Sequence, residues 1–261
     1  MSALLYQIDE RGVAHVTLDR PELHNAFNEE LIGALTDAFT DIASSSRVRV
    51  AVLQGNGASF CAGADLDWMR RAAHFDEAHN LKDAQALSDM LNAIDACPKP
   101  VIAAVNGAAY GGGVGLVACA DIAIGTARAK FMLSEVKLGL TPATISPFVM
   151  RAIGSRNARR YFLTAEMFTA EAARDMGLLH EVVADDAALP AAVDAKITTL
   201  LANAPGAVAE AKALVRDFGQ LPVTGEVRAE TARRIAARRA SPEGKEGLSA
   251  FLDKRKPSWV H

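Results

Sequence analysis

Cysteine is scarce in this 261-residue chain, with three residues, Cys61, Cys97 and Cys119. An odd number set in apolar or Gly/Ala-rich runs does not make a disulfide framework. It reads as small buried side chains kept reduced, as in a cytoplasmic protein. Excess charge is missing as well: 28 Lys plus Arg stand against 31 Asp plus Glu, a net charge of −3. Such a chain has no global field to gather nucleic acid or anionic lipid, so any basic site must be local. Aromatic residues are 6% of the total, which argues against a dedicated base-stacking surface. No run approaches the roughly 20 apolar residues of a membrane span. Met1–Gly12 carries Asp9 and Glu10 and lacks a basic region followed by a long apolar one, so no signal or transit peptide is expected. His15, His24, His74, His79, His180 and His261 are scattered, and no metal site is expected from them.

What is present is the balance of a compact soluble globule, 50% hydrophobic and 23% charged. At this length a chain buries about three-quarters of the surface that its unfolded form exposes, without disulfide or metal support. Leu4–Ile8 and Val13–Leu18 are β-prone runs around an Asp-Glu-Arg-Gly turn. Asn28 stands where a helix N-cap belongs, followed by Leu31, Leu35, Ala38, Phe39 and Ile42 at helical spacing. Val48–Leu53 is largely apolar and Val101–Val105 wholly so, as strands buried on both faces are, with a helix expected at Leu81–Ala96 between them. A helix is expected after Gly113 and short strands at Asp121–Gly125 and Lys130–Leu133. Beyond about Pro142 the strand signal nearly vanishes. Helices are expected at Pro147–Ile153 (with Ser146 as N-cap), Ala158–Thr164, Ala170–Met176, Pro190–Ala204, Gly206–Phe218, Gly225–Ala240 and Glu246–Lys254. The class is α/β, divided into a core at 1–195 and a helical part at 196–261. Ser241-Pro242-Glu243-Gly244 is the best hinge candidate.

Two glycine-rich turns each follow an expected buried strand: Gly55-Asn56-Gly57-Ala58-Ser59-Phe60-Cys61-Ala62-Gly63-Ala64-Asp65-Leu66, and Asn106-Gly107-Ala108-Ala109-Tyr110-Gly111-Gly112-Gly113. Small residues there let backbone N–H groups approach a ligand closely, and two such turns facing one pocket would make an oxyanion hole. Tight packing turns are the bland alternative. Neither turn is a P-loop, because no Gly-Lys-Ser/Thr follows. Together with Leu18-Asp19-Arg20-Pro21-Glu22-Leu23-His24-Asn25-Ala26-Phe27, Pro100–Gly107, Ala120–Ile124, Phe131–Leu140 and Phe251–Pro257, these stretches resemble the crotonase (enoyl-CoA hydratase/isomerase) family over essentially the whole chain.

The resemblance implies a crotonase (ClpP-like) spiral of ββα units with a helical C-terminal region that assembles trimers, pairing into hexamers. It makes the N–H groups of Ala64 and Gly112 the oxyanion hole for an acyl-CoA thioester and Glu135 the acid/base at the substrate α-carbon. Gly111 belongs to the same turn. Ala62, Asp65 and Leu66 match positions lining coenzyme A; Glu22, Leu23 and His24 match the loop at its entrance; Lys254 matches a cation near its phosphates, across a subunit boundary. Coenzyme A is part of the substrate, and no separate cofactor is implied.

Two departures stand out. Gly115 occupies the position where well-known hydratases carry a second glutamate, and Asp67 stands where many relatives have lysine. A lone glutamate leaves syn hydration of a 2-enoyl-CoA and Δ3,Δ2-enoyl-CoA isomerisation both open, with an acyl-CoA or RNA binder as the non-enzymatic alternative. Arg233-Arg234 and Arg238-Arg239 form the local basic stripe that a nucleic acid would need, but a solvated helix face explains them equally well. The stretches around Gly115 and from Ser134 to Pro147 are similar to bacterial hydratases of branched, carboxylated enoyl-CoAs of the methylglutaconyl-CoA and carboxygeranoyl-CoA type. A distal carboxylate would want a cation, for which Arg70, Arg71, Lys137 and Arg151 are candidates by position.

Overall fold

The computed structural model describes residues 3–260; Met1, Ser2 and His261, part of the leader and histidine readings above, lie outside the described residues. β1 (Leu4–Ile8) and β2 (Val13–Leu18) form the expected antiparallel hairpin, with Leu4 opposite Leu18 and Ile8 opposite Ala14. α1 (Glu29–Ser44) begins where the sequence places it: the Asn28 side chain accepts the Leu31 N–H at 2.9 Å. Its Leu31, Leu35, Phe39 and Ile42 are fully buried, as their spacing requires.

A ββα pattern then winds three times. β3 (Val50–Gly55) and β4 (Ser59–Cys61) lead to α2 (Leu66–Ala72) and α3 (Glu77–Asp95). β5 (Val101–Val105) and β6 (Ala108–Tyr110) lead to α4 (Gly112–Cys119). β7 (Ile122–Thr126) and β8 (Lys130–Met132) lead through a 3-10 turn, Glu135–Leu138, to α5 (Ser146–Thr164). The chain continues through β9 (Phe168–Thr169), α6 (Ala170–Asp175), β10 (Glu181–Val183), α7 (Leu189–Leu201), α8 (Pro205–Phe218), α9 (Gly225–Ala240) and α10 (Pro242–Leu252). The first strand of each pair joins a six-stranded sheet, order β1-β2-β3-β5-β7-β10, and the second a four-stranded sheet, order β4-β6-β8-β9. Pairing is parallel throughout the repeated part.

Alternation along the strands explains why Val50–Leu53 of β3 and all of β5 are apolar. Ala51, Leu53, Val101, Ala103 and Val105 enter the main core, whereas Val50, Val52, Ile102 and Ala104 face Leu189, Val193 and Ile197 of α7. Both faces are covered, so neither needs polar residues. Position 195 lies inside α7, the helix that covers the second face. Among the described residues, no helix is long and apolar enough to cross a membrane.

Several expectations are corrected. β4, β6, β9 and β10 are two or three residues long, too short for periodicity to reveal, so strands do persist beyond Pro142. α2 was not expected because it buries no residue and so leaves no apolar stripe; the Asp65 side chain caps it instead. Ser146 is the first helical residue rather than the N-cap, and its hydroxyl donates to the Ala143 carbonyl. The break that separates the two helices expected within 146–164 is Gly154, at φ 74° and ψ 153°. Ser241–Gly244 is a capped helix start and not a hinge: the Gly244 N–H donates to the Ser241 hydroxyl at 3.0 Å, and Glu243 accepts the N–H groups of Gly206 and Ala207.

Gly107 is a steric test of the spiral, since a Cβ there would lie 2.1 Å from the Ala58 carbonyl oxygen. Gly107→Ala is expected to cost about 2–3 kcal/mol in a denaturant titration. Gly33→Ala, on the exposed face of α1 with nothing within 4 Å, is expected to stabilise by about 0.5–1 kcal/mol. Equal midpoints for the two variants would contradict this packing.

Candidate active site

Parallel pairing of β4 with β6 brings Ser59 opposite Ala108 and Cys61 opposite Ala109, so the two glycine-rich turns leave the small sheet side by side. The fit is close: a Cβ on Gly63 would lie 3.0 Å from the Tyr110 carbonyl oxygen. Phe27 joins the turns from beneath. Its N–H donates to the Gly63 carbonyl and its own carbonyl accepts the Asp65 N–H, both at 2.7 Å. In this parallel bridge to Ala64, Phe27 uses the groups of residues 63 and 65, so the N–H of Ala64 points to the opposite side. The Phe27 ring lies against Gly112, where a Cβ would come 2.7 Å from Cε2. Gly112 is the first residue of α4, and a helix supplies no acceptor for the N–H groups of its first turn. Among the described residues, neither the Ala64 nor the Gly112 N–H has a hydrogen-bond acceptor.

Glu135 is carried to the same place by the next strand. The Gly111 N–H donates to the Met132 carbonyl at 2.9 Å, which fixes the end of β8 against the turn. The 3-10 turn that follows lays the Glu135 carboxyl over Gly111: a Cβ there would lie 3.1 Å from Oε1. Gly111 adopts φ +49°, so glycine suits this position for conformation and space alike. Glu135 Oε2 is buried and has no hydrogen-bond partner among the described residues. Burial pushes the carboxyl pKa above the usual glutamate value, opposed only in part by a hydrogen bond from its own N–H.

One turn further along α4, the surroundings of Gly115 are apolar. A Cβ on Gly115 would meet Ile145 Cγ2 at 2.6 Å and Leu91 Cδ2 at 3.4 Å, so hydrocarbon fills the space. Ile145 and Phe27 are the residues that sequence reasoning left without a role. The partners of Phe27 lie 36 and more positions away, and no local pattern reports them.

The remaining expected residues divide into rim and periphery. Glu22, Leu23 and His24 are exposed around the 3-10 turn Pro21–Leu23. His24 places Nδ1 3.0 Å from the Ser59 hydroxyl, and its carbonyl accepts the Ala62 N–H, tying this rim to the first turn. Leu66 is 70% exposed at the start of α2. The Asp65 side chain turns away from the site: Oδ1 accepts the N–H groups of Asp67 and Trp68, and Oδ2 pairs with Arg20 at 2.8 Å. Burial raises its pKa, but those two N–H groups and the guanidinium outweigh it and hold the carboxyl below its usual value. Lys254 follows α10, and no hydrogen bond or ion pair among the described residues joins it to either turn.

Three of the four candidate cations are spent on carboxylates: Arg70 on Asp67, Arg71 on Glu29 and Arg151 on Asp95. Lys137 is not in an ion pair among the described residues; its ammonium lies 3.7 Å from Met132 Sδ. A cavity of about 550 Å³ between α4, α5 and α8 is lined by the Lys212–Asp121 and Arg151–Asp95 pairs, and Glu135 takes no part in it.

Known proteins resemble this chain in sequence and share its fold. Residues 9–261 match the family described as enoyl-CoA hydratase/isomerase. Enoyl-CoA hydratase AKT6-1 of Alternaria alternata is 41% identical over 209 residues, 80% of this chain and 68% of its own length. The 2,3-dehydroadipyl-CoA hydratase of Escherichia coli is 33% identical over 261 residues, covering 99% of each chain. The crystal structure of an enoyl-CoA hydratase from Shewanella pealeana superimposes with a TM-score of 0.95 at 44% identity, over 98% of this chain and 96% of that one. The three-turn ββα spiral is thus the crotonase fold, and with a match spanning nearly its full length the chain belongs to the enoyl-CoA hydratase/isomerase family.

Proposed function

We propose that this protein catalyses the syn addition of water to a 2-enoyl-CoA, with Ala64 and Gly112 as oxyanion donors and Glu135 as the acid/base. The observation that carries this reading is the buried Glu135 carboxyl lying over the Gly111–Gly112 turn, beside two N–H groups that have no acceptor among the described residues. The thioester oxygen takes both hydrogen bonds. Glu135 removes a proton from water as the water oxygen bonds to C3, and the π electrons move towards the thioester oxygen. The protonated carboxyl then returns its proton to C2 on the same face, so atoms and charge balance. Each backbone donor contributes about 3–4 kcal/mol where the oxyanion charge develops. A carboxyl with a pKa raised by burial suits both halves of this transfer.

Hydrocarbon at Gly115 favours a second reading. With one carboxylate in the pocket, Glu135 can instead move a proton between C4 and C2 of a 3-enoyl-CoA, an isomerisation that needs only one base. The relatives, named as hydratases, weigh towards hydration. Lys137, two positions after Glu135 and free of a carboxylate partner among the described residues, supports a branched substrate with a distal carboxylate of the methylglutaconyl or carboxygeranoyl type. The coenzyme A moiety would run past Ala62 and Leu66 to the rim at Glu22, Leu23 and His24. Lys254 would reach its phosphates from a neighbouring copy. Assembly into trimers and hexamers is supported by the C-terminal helices, where Val215, Phe251 and Leu252 are at least 73% exposed.

Wild-type protein should remove 2-enoyl absorbance from crotonyl-CoA or 3-methylglutaconyl-CoA, and Glu135→Gln should slow this by about 10²–10⁴-fold. Growth of that absorbance from a 3-enoyl-CoA would select isomerisation instead, and no reaction with any thioester would select a binder. Because the folded pKa of Glu135 is raised, ionising it costs stability: the contribution is favourable at low pH and is lost as pH rises through the folded value. Glu135→Gln should therefore be more stable than wild type near pH 7, with the gap closing below the ordinary glutamate pKa of about 4.3 in thermal melts. A gap that widens on acidification would contradict the burial. Lys137→Met should raise KM for 3-methylglutaconyl-CoA by about 10-fold and leave crotonyl-CoA unchanged, as loss of one charge-assisted contact predicts. Equal effects on both substrates would remove Lys137 from the acyl pocket.

A further inference from the structure

We infer that Arg20 is a positioning residue for the thioester oxyanion: its guanidinium staples the segment carrying Phe27 to the turn carrying Ala64 and so sets the direction of the Ala64 N–H. The inference rests on the reading of Ala64 and Gly112 as the oxyanion donors. One fork of the guanidinium, Nη1, donates to the Ala26 carbonyl at 2.6 Å; the other, Nη2, donates to Asp65 Oδ2 at 2.8 Å. Ala26 immediately precedes Phe27 and Asp65 immediately follows Ala64, so the two contacts bracket the single backbone bridge on which the Ala64 N–H depends.

Both ends of the staple are themselves fixed. The Arg20 N–H donates to Asn25 Oδ1 and its carbonyl accepts the Asn25 N–H, each at 2.9 Å. Asn25 is fully buried, and its Nδ2 donates to the carbonyls of Asn56 and Ser59. At the far end, Asp65 Oδ1 is locked onto the first turn of α2 through the Asp67 and Trp68 N–H groups. The Arg20 and Asp65 side chains are only 14% and 10% exposed. A desolvated ion pair gains little net stability over apolar packing, because removing both charges from water offsets their attraction. A planar two-pronged donor does supply a fixed angle between two backbone segments, which neither lysine nor a hydrocarbon can. The Phe27 ring carries the same alignment to the second donor, since it lies against Gly112.

The test is carbonyl polarisation in a bound chromophoric thioester, a cinnamoyl-CoA bearing a para-amino donor, together with turnover of crotonyl-CoA. Wild type should shift the probe's absorption to longer wavelength, and Glu135→Gln should keep that shift while losing turnover. Arg20→Met should lose at least half of the shift, with kcat down about 10- to 100-fold from misplacement of one donor and KM within about 3-fold of wild type. Arg20→Lys should fall between, since one ammonium cannot reach both acceptors in the same geometry. Phe27→Leu, which keeps the backbone bridge and trims the ring over Gly112, should also reduce the shift and serves if Arg20→Met does not fold. A folded Arg20→Met, or in its place Phe27→Leu, that retains the wild-type shift and kcat overturns the inference alone. A wild type that binds the probe without any shift overturns the oxyanion reading and this inference with it.

Discussion

Phe27 uses both of its backbone groups on residues 63 and 65, and Ala64 between them is left with its N–H directed the other way. The rest of the site follows from that constraint. The ring of the same residue limits what can stand at position 112, so one side chain and one bridge connect the second strand of the first spiral turn to the helix that ends the second. The spiral repeat is what makes the connection possible. Each turn of the chain delivers one short strand to the small sheet, and parallel pairing puts the ends of β4, β6 and β8 at one edge. Two of those ends supply backbone donors; the third supplies Glu135.

The proposed proton chemistry depends on a second constraint, the burial of the Glu135 carboxyl. Oε2 of Glu135 is buried and has no hydrogen-bond partner among the described residues, while Ile145 and Leu91 close the space at Gly115. An unsatisfied buried carboxylate is costly, and its pKa rises in consequence. That cost is the expected signature of a group held ready for a proton rather than one retained for stability. The contrast with Asp65 is instructive. It too is buried, yet every one of its oxygens is satisfied by an N–H or a guanidinium, and its pKa is held down. One carboxyl is left able to react and the other is locked in place.

Much of this was legible in the sequence, for identifiable reasons. Long apolar runs such as Val101–Val105 and capped amphipathic helices such as Glu29–Ser44 carry their signal locally, and both stand where periodicity placed them. Apart from β8, the strands that build the small sheet are three residues or fewer and carry no pattern of their own, and α2 has no buried side to announce it. Glu135, Ala64 and Gly112 were named through resemblance to a family. Periodicity alone would have left Glu135 as a turn residue. Arg20 and Phe27 were hidden because their partners are distant in sequence, and an arginine in a loop looks solvated until its acceptors are known. The Ile145 wall was equally invisible, because the glycine it covers says only that something small is there.

The central claim is that two amides hold a thioester oxygen while one carboxyl moves the neighbouring hydrogen. The most direct measurement is exchange at C2 of a saturated acyl-CoA, butyryl-CoA, in D2O, followed by proton NMR, because it isolates enolisation from water addition and double-bond migration. The account predicts stereospecific loss of one of the two C2 proton signals with wild-type protein. Persistence of both signals, with binding of the thioester verified in the same sample, would contradict it.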